Sequence, residues 1–315
     1  MTARPFRMAA AQAASILFDK DASTEKACRL IAEAAKGGAD IVAFGETWLP
    51  GYPFWVEGGV KDLTWEASAN YLENAIVIGG PETSALCAAA REAGVDVVIG
   101  IAEKDPDTEG AAYCTALTIG RDGDILGRHR KLKPTHAERI IWGDGDAAGL
   151  KARQRAYGKI SALNCWEHQM MLPGYALAAQ GTQIHAALWP GWEKTPRKED
   201  YCWARQHLLS RAFASQAAAY VICAAGIRLE KHIPDRWKPL GVWEHTGQSV
   251  IIDPRGEIIA GPAEGEEIIY ADGSLDIVRA AKAACDIAGH YSRPDIFRLI
   301  VDDSERKAAE FSSRK

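Results

Sequence analysis

A cysteine, a glutamate and a lysine stand at the ends of apolar runs, and together they could perform covalent catalysis. Residues 159–192 read KISALNCWEHQMMLPGYALAAQGTQIHAALWPGW. The apolar run 160–163 ends in Asn164-Cys165, a helical pattern follows Trp166, Glu167 and His168, and a second apolar run covers 183–188. Cys165 therefore sits where a strand hands over to a helix. A cysteine there is expected to be exposed at the strand's carboxyl end, beside unpaired helix N–H groups that favour a thiolate and can bind an oxyanion. Such a nucleophile needs a base for its proton and a cation for the charge that grows on the attacked substrate. Glu46 and Lys131 supply a carboxylate and an ammonium, so no histidine is required. Taken singly each has a plainer reading, a core cysteine and two surface or structural charges. Only the combination points to chemistry. His168 follows Cys165 too closely for both to aim at one atom, so it reads as structural, and Glu167 as a supporting partner.

The elements that must position this set follow from periodicity. A strand is predicted at 6–14 and a helix at 23–36, with Leu30, Ile31, Ala34 and Ala35 on one face and Gly37-Gly38 as the stop. The run 41–44 reads as a short strand buried on both faces that delivers Glu46 to a sheet edge. Next, Leu49-Pro50-Gly51-Tyr52-Pro53-Phe54-Trp55 forbids a helix and leaves large apolar side chains on a loop of the kind that lines pockets. A helix at 81–93 opens on Pro81 and closes at Gly94, with a strand at 95–101 behind it. Runs at 113–119 and 124–130 form a hairpin about Arg121-Asp122-Gly123 and lead into GRHRKLKPTHAERIIWGDGD, where Lys131 and Glu138 lie on a loop broken by Pro134. Beyond the cysteine come a helix at 197–219, a strand at 220–225 and a surface excursion at 226–247. A hairpin about Pro254-Arg255-Gly256, a strand at 266–271, a helix at 276–287 and a polar, fraying tail from 302 complete the chain. Alternating strands and helices with hairpins among them suggest an α/β fold with two helical layers around a mixed sheet pair.

The 315 residues contain no linker, low-complexity tract or short-period repeat, so 1–315 reads as a single domain. Apolar content of 47%, charged content of 25% and a net charge of -5 describe an ordinary soluble protein. Lys and Arg are scattered among carboxylates, which leaves nucleic acid no footprint. The seven cysteines form no C-x-x-C pair and no cluster with histidine at metal-ligand spacing, pointing to a reduced cytoplasm and to no metal. The apolar part of the amino-terminal stretch is short, alanine-rich and interrupted by Gln12 and Ser15, unlike a signal peptide. No run approaches the ~20 apolar residues that span a bilayer.

Three blocks, FGETWLPGYPFW with Glu46, HRKLKPTHAERIIWGDGD with Lys131 and Glu138, and LNCWEH with Cys165, occur in the order found in the carbon–nitrogen hydrolase superfamily. From about Arg7 to about Arg298 the chain resembles the nitrilase branch, and GYPFW, KPTHAER and CWEH favour nitrilases over amidases and carbamoylases. The resemblance implies a four-layer αββα sandwich that pairs into an αββααββα homodimer or a larger homo-oligomer, with the helices after Cys165 among the partner surfaces. It implies hydrolysis of a nitrile to the carboxylic acid and ammonia through a Cys165 thioimidate and thioester, without metal or organic cofactor. Glu46 would be the general base and acid, Lys131 would stabilise charged intermediates, and Glu138 would orient Lys131 or assist proton transfer. Tyr52, Trp142, Trp166, Trp189 and Pro190 would wall the substrate pocket. The short tail departs from the long carboxyl-terminal extension of many nitrilases and puts long spirals in doubt.

Sister chemistries share the same three residues: an aliphatic amidase, or a nitrile hydrolase that degrades cyanide or releases amide. Acid and amide part at one tetrahedral species, where about 1.4 kcal/mol changes the ratio ~10-fold. A catalytically silent scaffold is opposed by the joint presence of Cys165, Glu46 and Lys131. A nucleotide-binding α/β enzyme is set aside, since no G-x-G-x-x-G or G-x-x-x-x-G-K-[ST] follows any strand.

Overall fold

In β1 (Phe6–Gln12) side chains alternate between two apolar layers: Phe6, Met8 and Ala10 face one, Ala9 and Ala11 the other. The same alternation in the other central strands gives each sheet two buried faces. In a computed structural model that describes residues 5–59, 61–194, 205–307 and 309, the chain forms two six-stranded sheets covered by helices.

The elements run in order α1 (Lys20–Lys36), β2 (Ile41–Ala43), α2 (Thr64–Glu73), α3 (Pro81–Ala93), β3 (Asp96–Lys104), β4 (Ala112–Ile119), β5 (Ile125–Arg130), β6 (Arg153–Arg155) and β7 (Gly158–Asn164). They continue with α4 (Met171–Ala179), β8 (Ile184–Trp189), α5 (Arg205–Ala217), β9 (Tyr220–Ala225), β10 (Ile227–Arg228), β11 (His245–Thr246), β12 (Val250–Ile252), β13 (Ile258–Ala260), β14 (Glu267–Gly273) and α6 (Leu275–Ala284). One sheet has the order β14-β1-β2-β3-β4-β5, the other β13-β12-β9-β8-β7-β6, and β10 with β11 makes a separate ribbon. Strands β1, β2 and β3 run parallel, as do β7, β8 and β9, while the outer pairs are antiparallel.

Between the sheets lie Met8, Ile41, Val98, Ile160, Ile184, Leu188 and Ile222. Ile31 and Ala34 of α1 and Leu86 and Ala90 of α3 cover the first sheet; Leu177 of α4 and Phe213 and Ala214 of α5 cover the second. This is the αββα sandwich.

Among the described residues, the sheets meet backbone to backbone where β2 and β8 end. The Glu46 N–H and the Gly226 N–H both donate to the Trp189 carbonyl, at 3.0 and 3.2 Å. A methyl group on Gly45 would lie 2.5 Å from the Gly226 nitrogen, and one on Gly100 2.3 Å from the Gly45 oxygen. Glycine is needed at both, and the carboxyl ends of β2 and β8 are thereby brought together.

Helix α3 coincides with the predicted 81–93, and Gly94 closes it with φ +65°. The predicted helix 197–219 is seen from Arg205 onward; its first residues lie outside the described ones. Helix α2 was not foreseen, because its buried face mixes polar Thr64 and Ser68 with Ala67 and Tyr71 while Trp65 is exposed, so no apolar stripe marks it. The surface excursion at 226–247 is corrected. Ile233, Trp237 and Leu240 are buried against Phe54 and Trp55, so this segment caps the aromatic loop that follows Glu46. The tail does not fray at once: Asp303 pairs with Lys151 at 2.8 Å, Glu305 pairs with Arg128, and the Arg306 N–H donates to Asp146 at 2.9 Å.

Candidate active site

Glu46 leaves the end of β2, Lys131 follows β5, and Cys165 follows β7, so three strand ends bring the predicted set together. Glu46, Lys131, Glu138 and Cys165 are all buried, none more than 4% exposed. Lys131 Nζ donates to Glu46 Oε1 at 2.8 Å and to Glu138 Oε2 at 2.7 Å. Glu138 is fixed in turn by the Thr135 N–H at 2.6 Å and by the Tyr52 hydroxyl, which donates to Oε1 at 2.9 Å. The Cys114 thiol donates to Glu46 Oε1 at 3.3 Å. Glu46 Oε2 has no hydrogen-bond partner among the described residues, which leaves one carboxylate oxygen for proton transfer.

Cys165 adopts φ +47°, a left-handed conformation that costs a non-glycine residue of order 1–3 kcal/mol and persists only where its surroundings impose it. The surroundings are specific. Residues Cys165–Gln169 form a single 3-10 turn, with α4 beginning only at Met171, so the predicted strand-to-helix handover has one tight turn inserted. Glu167 accepts from the Leu132 N–H at 2.9 Å and from the Asn164 N–H at 2.9 Å, and its carboxylate meets His129 Nε2 at 2.9 Å. One buried carboxylate thus ties the residue after Lys131 to the residue before Cys165.

A histidine chain holds the turn from the other side. His168 Nδ1 lies 2.7 Å from the Cys165 carbonyl, which can only accept, so Nδ1 carries the proton. His168 Nε2 must then accept from His185 Nε2 at 3.0 Å, and His185 Nδ1 accepts from the Ser161 hydroxyl at 2.8 Å. His168 thus bonds to the Cys165 carbonyl and to His185.

The electrostatics correct one expectation. Cys165 is not an exposed cysteine: burial, reinforced by Glu46, pushes its thiol well above the usual range, although Lys131 and the Trp166 N–H pull the other way. To act as a nucleophile Cys165 would have to give up its proton to a neighbouring base. Burial raises the Glu46 carboxyl to about 7 despite Lys131, which suits a base that gives and takes protons near neutrality. Burial by itself would lower Lys131; Glu138 and Glu46 outweigh it and keep the ammonium charged well above its usual range.

Of the predicted wall residues, Tyr52 and Trp142 stand together beside the ion cluster, rings at 5.7 Å, with Lys131 Nζ 5.7 Å from the Trp142 ring centroid. Trp166 is partly buried with its ring 5.4 Å from that of His136, and Pro190 follows β8 partly exposed. Trp189 differs. Its indole donates to Ser210 at 3.0 Å and stacks on His168 beneath α5, so the side chain belongs to the outer core while its carbonyl holds Glu46. Sequence reasoning missed Cys114, whose only signal is its place on β4 opposite the strand leading to Lys131, and Arg228, hidden in the supposed surface excursion.

Residues 7–283 match the carbon-nitrogen hydrolase family. The chain belongs to the carbon-nitrogen hydrolase family. It is 51% identical over 308 residues to Nitrilase 2 from an unknown prokaryotic organism, covering 96% of this chain and 94% of that one. It is 36% identical to an aliphatic nitrilase of Rhodococcus rhodochrous, covering 93% and 82%, and 35% identical to an arylacetonitrilase of Hypocrea virens, covering 96% and 93%. Among solved structures, Saccharomyces cerevisiae Nit3, a member of branch 10 of the nitrilase superfamily, matches with a TM-score of 0.73 at 20% identity, covering 92% and 97%. That likeness is of fold. As a carbon-nitrogen hydrolase the protein is an enzyme that cleaves carbon–nitrogen bonds other than peptide bonds.

Proposed function

We propose that the protein is a nitrilase that converts an organic nitrile to its carboxylic acid and ammonia on Cys165. The observation that carries the reading is a buried lysine gripped by two carboxylates beside a buried thiol, in a chain 51% identical to Nitrilase 2. Glu46 takes the Cys165 proton as sulfur adds to the nitrile carbon, and the proton passes to nitrogen to give a thioimidate. Water, losing a proton to Glu46, adds to the same carbon. Glu46 returns that proton to nitrogen and then relays the new hydroxyl's proton to it as well, so the tetrahedral species expels ammonia and leaves a thioester. A second water, activated in the same way, releases the acid as the carbon–sulfur bond breaks and sulfur regains a proton. The Lys131 ammonium faces the negative charge that grows on nitrogen and then oxygen, and Glu138 with Tyr52 keeps it aimed. Tyr52, Trp142, Trp166 and Pro190 wall the pocket, with Trp189 supporting it from behind.

Met171 is 81%, Leu172 65% and Leu208 59% exposed on α4 and α5, and these apolar side chains support a homodimer through the helices after Cys165. Cys28, Cys87, Cys114, Cys165, Cys223 and Cys285 are free, which supports a reduced cytoplasm, and no described helix is long and apolar enough to cross a membrane.

A product balance tests the assignment: ammonia, acid and amide are quantified from aliphatic, arylacetonitrile and aromatic nitriles, the matching amides and cyanide. Equal acid and ammonia from nitriles, abolished in Cys165→Ala, is the expected result. Amide as main product, or turnover of amides or cyanide alone, would overturn it.

A further inference from the structure

Arg228 is a buried guanidinium with a hydrogen-bond donor to spare. It is 3% exposed and lies on β10, two residues past Gly226, whose backbone packs against Gly45 where the strand ends converge. Its Nε donates to the Trp243 carbonyl at 2.8 Å and Nη2 donates to the same oxygen. Nη1, also buried, has no acceptor among the described residues. The guanidinium carbon stands 5.3 Å from the centroid of Tyr52 and 5.7 Å from that of Phe54. Tyr52 is the residue whose hydroxyl holds Glu138, so Arg228 lies one ring away from the catalytic cluster. Directly across the ribbon is His245, 5% exposed, its ring 6.1 Å from Tyr52 and its Nδ1 likewise without a partner among the described residues.

Burying a charge without a contacting counter-ion is costly, and the bonds to the Trp243 carbonyl occupy only Nε and Nη2, which leaves the Nη1 side of the fork to be explained. Burial lowers Arg228 to about 10, while Tyr52, Glu57 and Glu193 act to keep it charged. These carboxylates bear on which ligand fits. None forms a described ion pair with Arg228, yet their field would repel a second anion brought to the guanidinium. A neutral acceptor escapes that repulsion and still takes a charge-assisted hydrogen bond.

We propose that Arg228, with His245 beside it, forms a distal subsite that selects nitriles bearing a neutral hydrogen-bond acceptor, a hydroxyl, carbonyl or second cyano group, over their hydrocarbon counterparts. The inference rests on the nitrilase reading and names the substrate class that reading leaves open. A substrate without the acceptor leaves a buried donor unpaired, so discrimination is about 10-fold or more.

The test uses a straight-chain nitrile with its ω-hydroxy, ω-cyano and ω-carboxylate counterparts. For each, kcat/KM is measured with the wild type, Arg228→Met and Arg228→Lys, and Kd by calorimetry in the Cys165→Ala background. The wild type should favour the ω-hydroxy or ω-cyano ligand by about 10-fold or more, the carboxylate should gain nothing, and Arg228→Met should bring the ratio to about 1. If Arg228→Met does not fold, Arg228→Lys, which keeps the charge but not the fork, must still lose most of the ratio. No preference in the wild type, a ratio retained in both variants, or a preference for the carboxylate overturns the subsite. Turnover of amides alone with the binding ratio intact would overturn the nitrile assignment and support the subsite.

Discussion

Replacing Glu167 by glutamine tests whether one carboxylate sets the spacing of the catalytic lysine and cysteine. Its Oε1 accepts from Leu132 N–H and faces His129, and its Oε2 accepts from Asn164 N–H, each at 2.9 Å. Burial alone would raise the carboxyl, but His129 and the two N–H groups hold it below the usual range, so the ionised form is the one in use. In Glu167→Gln one oxygen survives, while the amide NH2 meets an N–H donor and the charge opposite His129 is gone. Two charge-assisted bonds at about 1.5–3 kcal/mol each give a loss of about 3–6 kcal/mol, consistent with the ~3–5 kcal/mol for breaking a buried pair. At about 2 °C per kcal/mol for a chain of this size the midpoint should fall by about 6–12 °C. The Cys165 turn should relax from its left-handed conformation, and a misplacement of about 1 Å lowers kcat ~100-fold. Thermal unfolding, kcat and KM on a cleaved nitrile, and the rate of Cys165 alkylation below the midpoint are the readouts. A midpoint within about 1 °C of the wild type together with kcat within about threefold would refute the reasoning.

Gly100→Ala would drive a methyl to 2.3 Å from Gly45 O and 2.4 Å from Thr47 N, both backbone. It should cost about 3 kcal/mol or more and displace Glu46, seen as a lower midpoint with lower kcat; an unchanged midpoint would show that the 45–47 segment can move away from β3 freely. The proposed mechanism uses the Glu46 carboxylate, raised to about 7, as base, so kcat/KM should rise with pH through about 7 and then level off. Lys131, held well above its usual range, should add no falling limb near neutrality. A limb at the ordinary carboxylate range would remove Glu46 from the role of base.

The sequence by itself determined the architecture and pointed to the candidate groups of the site. Continuous apolar runs at 41–44 and 220–225, proline and glycine bracketing 81–93, and the turn at Arg121-Asp122-Gly123 are local signals, and the strands and helices formed where those signals lie. Glu46 and Cys165 were legible because each closes an apolar run, Lys131 because it ends the hairpin strand, and strands of a buried sheet end together. The tertiary structure decided what depends on groups distant in the chain. That Glu138 and Glu46 share Lys131 requires contacts 7 and 85 residues apart, and the state of the Cys165 thiol depends on a burial that no local pattern encodes. Arg228 and Trp237 sit in a segment whose polar composition resembles surface, yet the aromatic loop after Glu46 needs a cover and this segment supplies it. Trp189 looked like a pocket aromatic; its side-chain direction was fixed by strand alternation and by Ser210 on a helix formed later in the chain. Local sequence sets element type because backbone propensity and periodicity act over a few residues. Charge state and side-chain direction wait for packing, because they are set by whatever the fold places within a few ångströms.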